Sequence, residues 1–151
     1  MSSIPHFARY AAAFEKAVAS DDWSLVEPFF TEDAVYEAQL PAPYGGRFEG
    51  RDAILAYFRF VLDGFDRRFA SREIGLVEGP RDEEGDAVWL RGWARYTAPG
   101  LPDFRFELEE TAWFDGGGRI RRLEDRYDEA ALRAIDAYLS EHGAKLGIAP
   151  A

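Results

Sequence analysis

Trp89-Leu90-Arg91-Gly92-Trp93-Ala94-Arg95-Tyr96, Phe106-Glu107-Leu108-Glu109-Glu110-Thr111-Ala112-Trp113 and Arg122-Leu123-Glu124-Asp125-Arg126-Tyr127 each alternate in character with a period of two. Such alternation marks strands with one face toward a core and the other outside. The breaks between them, Ala98-Pro99-Gly100 and Gly116-Gly117-Gly118, are turn-forming. Strands are therefore expected at about 86–98, 103–115 and 120–127.

Pairing these strands assigns their faces. With Arg95 opposite Glu107, Trp93 falls opposite Glu109, Arg91 opposite Thr111 and Trp89 opposite Trp113. The other face then pairs Tyr96 with Phe106, Ala94 with Leu108 and Gly92 with Glu110. Closing the next hairpin over the glycine loop sets Trp113 against Arg122, Glu109 against Arg126 and Thr111 against Glu124. Its other face pairs Ala112 with Leu123, Glu110 with Asp125 and Leu108 with Tyr127. Both hairpins agree on the faces, and a one-residue slip would invert every side chain. The face with Phe106, Leu108, Leu123 and Tyr127 is the one to bury. Glu110 and Asp125 then lie side by side in an apolar setting, where desolvation and mutual repulsion raise the pKa of at least one. That is a candidate general acid/base centre.

Outward from this meander, an earlier strand is expected at about 69–78, ended by Gly79-Pro80, and another near Ala34 to Gln39. Pro41, Pro43, Gly45 and Gly46 read as a loop. Phe7, Tyr10, Ala11, Phe14 and Val18 recur at helical spacing behind Ser3 and Pro5. A short helix is expected at Ser24 to Phe29, and a longer one opens at Gly50-Arg51-Asp52, with Ile54, Tyr57, Phe58 and Val61 on one side. A last helix starts at Asp128, turns Leu132, Ile135 and Leu139 inward and stops at Gly143. Helices first and a long meander afterwards predict an α+β domain over residues 1–143, a curved mixed or antiparallel sheet packed on N-terminal helices with a C-terminal helix added. Residues 144–151 are expected to be a loosely held tail.

Composition narrows the function classes. The chain has 151 residues, 28 acidic and 18 basic, for a net charge of −10. That excess repels nucleic acid and anionic membranes. No apolar run approaches the ~18 residues of a membrane span, and Met1 to Tyr10 lacks the regions of a signal peptide, so a cytoplasmic location is expected. Cysteine is absent, which removes disulfides and thiolate chemistry. His6 and His142 lie near the termini, and no P-loop, G-x-G-x-x-G or G-x-S-x-G motif occurs. No metal or cofactor is expected. Tyr10, Phe14, Phe30, Tyr36 and Tyr57 are core candidates, some lining a ligand pocket with Gly92, Leu108, Leu123 and Tyr127. On the outer face Trp89, Trp93 and Trp113 with Arg91, Arg95 and Arg122 form an amphipathic slab, read as a homodimer interface.

This pattern resembles the SnoaL-like branch of the NTF2-like superfamily. The resemblance covers nearly the whole chain: Asp22-Trp23-Ser24-Leu25-Val26-Glu27-Pro28-Phe29-Phe30-Thr31-Glu32-Asp33-Ala34-Val35-Tyr36, Phe48-Glu49-Gly50-Arg51-Asp52-Ala53-Ile54, and Phe114-Asp115-Gly116 through Tyr127-Asp128. It implies a cone with a pocket between curved sheet and helices, and a dimer through the outer sheet face. In the polyketide cyclases of this family a last-strand aspartate is the general acid/base. Gly118-Arg119-Ile120-Arg121-Arg122-Leu123-Glu124-Asp125 matches that segment and places the aspartate at Asp125, with Glu124 where a tryptophan often stands. Against ketosteroid isomerases, similar in fold, the oxyanion-hole acid falls at Glu110, but the helix-one tyrosine falls at Phe14 and the base near Ala38. The histidines of scytalone dehydratases are missing, and no Asp-Arg-Asp relay of limonene epoxide hydrolases is placed. The resemblance thus implies a cofactor-free isomerase, cyclase or dehydratase acting on a small apolar or aromatic carbonyl compound, or a ligand-binding or dimerisation module without catalysis.

Overall fold

A computed structural model describes residues 1–148 of the chain. Helix α1 (Ile4–Ser20) carries Pro5 in its first turn, where the missing N–H costs nothing, and buries Phe7, Tyr10 and Ala17. The expected short helix is two 3₁₀ turns, Trp23–Leu25 and Glu27–Phe29, the first capped by the Asp22 carboxylate. Strand β1 (Phe30–Ala38) follows, starting four residues before the sequence expectation of Ala34. The proline- and glycine-marked loop is shorter than expected, because Gly46–Glu49 forms strand β2 against β1. Helix α2 (Arg51–Gly64) turns Ile54, Tyr57, Phe58 and Leu62 inward.

Strands β3 (Ser71–Glu83), β4 (Ala87–Thr97), β5 (Phe104–Phe114) and β6 (Ile120–Arg126) form the meander. Gly79-Pro80 does not end β3. Gly79 takes φ +89°, its ideal Cβ would stand 3.0 Å from the Trp89 carbonyl oxygen, and the ladder to β4 shifts register around it. A glycine here lets the strand bulge and continue. The sheet runs β2-β1-β6-β5-β4-β3, antiparallel except for the parallel β1–β6 pair. It is a mixed sheet with helices on one face, an α+β architecture.

The β5–β6 register is the one the sequence predicts, with Trp113 opposite Arg122, Thr111 opposite Glu124 and Glu110 opposite Asp125. The β4–β5 register differs by two residues. Trp89 faces Thr111, not Trp113; Trp93 faces Glu107; Arg95 faces Arg105; Gly92 faces Leu108, and Leu90 stands opposite Glu110. A slip of two keeps every side chain on its predicted face.

Helix α3 (Glu129–Leu146) is capped by Asp128, whose Oδ1 accepts from the Ala131 amide at 2.8 Å. Gly143 does not stop it. The helix runs one turn further and ends on Gly147 at φ +69°, a conformation that suits glycine. Of the predicted tail, Ala144 to Leu146 belong to α3 and Ile148 is buried against the α3–sheet core. Residues 149–151 of that prediction lie outside the described residues. One hydrophobic cluster joins α1, α2 and the β1–β6 half of the sheet; a second joins α3 to β4, β5 and Phe65. Among the described residues no helix is long and apolar enough to cross a membrane.

Candidate functional site

The helices do not fill the concave face of the sheet. Between them lies a cavity of about 610 Å³ whose walls draw on both clusters. That is within the range of small-molecule sites. Its lining is mostly aliphatic and aromatic, with Glu110 and Asp125 among the few charged groups.

The antiparallel β5–β6 ladder sets Glu110 and Asp125 directly opposite each other on this face. Asp125 is buried and Glu110 half-buried, and both line the cavity. The pairing holds the two carboxyls next to each other in a water-poor site, where two full negative charges oppose one another. Both pKa values rise from the ordinary carboxylate range. For Glu110 the causes are burial first, then the Asp125 charge. For Asp125 burial raises it, while the adjoining Glu110 carboxyl and the Tyr36 hydroxyl oppose the rise. Two acids this close and this buried favour holding one proton between them. Leu90, opposite Glu110 where Gly92 was expected, places an aliphatic side chain on the far flank of the acid.

Tyr36 completes the group, its hydroxyl donating to Asp125 Oδ2 in a short bond. The parallel β1–β6 pairing brings it there, with Tyr36 opposite Leu123 and Ala38 opposite Asp125. Asp125 Oδ1 meets no N–H or hydroxyl donor of a neighbour. Tyr10 and Tyr127 also line the cavity, and their hydroxyls make no hydrogen bond among the described residues. Burial, and then the nearby carboxylate charges, hold both phenols well above their ordinary pKa, so they stay neutral donors.

Of the remaining pocket candidates, Phe14, Tyr57, Gly92, Leu108 and Leu123 lie on the cavity wall. Phe30 does not. It is fully buried behind the wall, its ring edge-on to Tyr10 at 5.4 Å. Tyr57 spends its hydroxyl on the Tyr44 carbonyl. Sequence reasoning missed Glu15, Asp66 and Arg72, which also line the cavity. Arg72 had a readable signal, since the alternation Arg72-Ile74-Leu76 pairs with Tyr96-Ala94-Gly92 on the inner face. Asp66 sits in a 3₁₀ turn after α2 and had none.

The outer-face candidates are on one face but largely engaged within the chain. Trp89 is buried with the Arg81 guanidinium 3.9 Å above its ring; Arg105 and Arg122 lie 5.5 Å from Trp93 and Trp113. Arg91 pairs with Glu107 and Asp128, Arg95 with Asp103, and Arg122 with Glu37 and Glu124. Among the described residues, no group of three or more His, Cys, Asp or Glu is arranged to hold a metal ion.

A family model described as SnoaL-like domain matches residues 9–124. Among solved structures, Bal32a from a soil-derived mobile gene cassette superposes with a TM-score of 0.68 at 17% identity, over 91% of this chain and 98% of that one. A putative SnoaL-like polyketide cyclase from Shewanella denitrificans OS-217 gives 0.60 at 15% identity, over 83% and 93%. TerC, co-crystallised with polyporic acid, gives 0.61 at 17% identity, over 85% and 95%. Identities this low establish the fold alone. No curated protein matches the chain.

Proposed function

The chain belongs to the SnoaL-like domain family, and from that premise we propose that it is a cofactor-free enzyme moving a proton at a carbon next to the carbonyl of a small apolar or aromatic compound. The observation that carries this reading is the Glu110–Asp125 pair, set face to face at the wall of an apolar cavity. TerC, which shares the fold, is co-crystallised with polyporic acid, which supports a small-molecule occupant here.

Asp125 acts as the base, taking the proton from the α-carbon. Glu110 donates its proton as a hydrogen bond to the carbonyl oxygen while that oxygen gains enolate charge. A neutral carboxylic acid held in an apolar pocket stabilises an oxyanion, as the protonated aspartic acid of ketosteroid isomerases does. Returning the proton to a different carbon gives isomerisation, and attack of the enolate on a second carbonyl gives cyclisation. Tyr36 positions the base, and its hydrogen bond holds the Asp125 pKa below what burial alone would set.

Deuterium exchange into the α-carbon of alpha-tetralone, followed by NMR in heavy water, tests this. Wild type is expected to accelerate exchange, and Asp125→Asn to lose at least about a hundredfold of that acceleration, the usual share of a positioned base. Tyr36→Phe removes a donor to the carboxylate, so the rise of rate with pH moves to higher pH. Exchange that survives Asp125→Asn defeats the assignment. Tight binding without exchange identifies a ligand-binding module, the reading favoured if the pair only orients its ligand.

A further inference from the structure

The cavity has a second polar region that the acid pair does not use. Arg72, on the inner face of edge strand β3, stands opposite Tyr96 of β4. Its Nε donates to Asp66 Oδ2 at 3.0 Å, and its terminal nitrogens donate to the Glu15 carboxylate at 2.5 and 3.3 Å. The Tyr96 hydroxyl donates to the same Asp66 oxygen at 3.0 Å. All four residues line the cavity, and the Asp66 side chain is only 10% exposed. Burial raises the Asp66 carboxyl from its ordinary pKa, with the Arg72 charge and the bonds from Tyr96 and Arg72 pulling it back.

The unspent valences of this cluster indicate what it can take. Two carboxylates against one guanidinium leave an excess of one negative charge. Arg72 commits its fork to those carboxylates, so it is no free clamp for an anion. Asp66 Oδ2 accepts twice, and the carboxyl also takes the backbone N–H of its own residue. A carboxylate has about four acceptor positions, so with Arg72, Tyr96 and its own amide engaged Asp66 keeps room for an O–H or N–H brought by a ligand in the cavity. Tyr96 lies six residues along β4 from Leu90, the neighbour of Glu110, so the two polar regions occupy opposite ends of the cavity. Gly92, Ala94, Phe106 and Leu108 make the wall between them apolar.

We propose that Asp66, held by Arg72 and Tyr96, is a second ligand subsite that takes a hydrogen-bond-donating group, a hydroxyl or an ammonium, at the end of the ligand remote from its carbonyl, and that it rejects carboxylates. The proposal rests on the preceding reading for the carbonyl end. The ligand class that follows is an elongated ketone, apolar in the middle, with a donor at its far terminus.

Titration calorimetry on the whole protein near neutral pH tests this with para-acetylbiphenyl carrying a methyl, hydroxymethyl, aminomethyl or carboxyl group at the far para position. The hydroxymethyl and aminomethyl probes are expected to bind about tenfold or more tighter than the methyl probe, the gain of one hydrogen bond to a charged acceptor. The carboxyl probe binds weakest. In Asp66→Asn the advantage of the aminomethyl probe falls to less than about threefold. Equal affinities across the first three probes, tightest binding by the carboxyl probe, or no binding by any overturns the subsite. The comparison among probes uses the unaltered protein, so it holds even where Asp66→Asn fails to fold. Donor preference that persists while α-carbon exchange is indifferent to Asp125→Asn defeats the acid/base reading alone.

Discussion

Burial, and then the charge of the neighbouring Asp125, raise the Glu110 carboxyl well above its ordinary pKa in the folded protein. In the unfolded chain the same carboxyl ionises at about pH 4.3. Between that value and its raised native pKa the folded state binds more protons than the unfolded state. Stability therefore falls as pH rises across this window, by up to about 1.4 kcal/mol per pH unit for each such proton. Asp125, also raised, contributes with the same sign. Glu110→Gln keeps a donor toward Asp125 but cannot ionise. Urea denaturation over a pH series should show a shallower pH dependence for the variant above the ordinary carboxylate range, and greater stability at the upper end. Parallel curves would mean that Glu110 titrates as an ordinary carboxyl. The adjacency of these acids was legible in the sequence because a tight glycine turn ties β5 to β6. The Tyr36–Asp125 bond was not, since β1 and β6 are parallel and far apart in the chain, with no turn to set their register.

The alternation of hydrophobic and polar side chains reports only parity, so it fixed the faces of β4 and β5 and left a two-residue slip invisible. Sequence reading favoured the register that pairs Arg95 with Glu107 and Trp89 with Trp113. The protein instead sets Phe104 opposite Tyr96, buries Phe104, and stacks its ring on Tyr138 of α3 at 4.4 Å. Magnitudes explain the choice. Burying a phenylalanine is worth about 1.5–3 kcal/mol, whereas an exposed ion pair is worth about 0–1 kcal/mol. The lost pair is also replaced, since Arg95 finds Asp103 and Arg91 finds Glu107. Contacts to a helix that arrives later in the chain are not written in the strands themselves, and this is why the register escaped. Two variants separate the terms. Phe104→Ala is expected to cost about 3–5 kcal/mol and Arg95→Ala less than about 1 kcal/mol, both read from chemical denaturation. Comparable losses would show that the surface ladder, not the aromatic packing, sets the register.

The whole molecule turns the outer sheet face away from its helices and cavity. Trp93 and Trp113 remain partly exposed there, beneath arginines whose charges are matched by acids of the same chain. We propose that a second copy of the chain covers this face, with the apolar rings at the contact and the already paired charges at its rim. Each copy carries a net charge of −10, so two copies repel through solvent at long range. The Debye length shortens from about 30 Å at 0.01 M salt to about 8 Å at 0.15 M. An association driven by buried tryptophan surface should therefore tighten as salt rises through this range, whereas one driven by ion pairs between copies should loosen. Sedimentation velocity as a function of salt is expected to give a species of twice the 17.1 kDa chain mass, favoured at the higher salt. Trp113→Asp should dissociate it while the cavity on the opposite face of the sheet retains its probe affinity. A single-chain species at every salt concentration, or a dimer indifferent to Trp113→Asp, would remove this face from consideration as the interface.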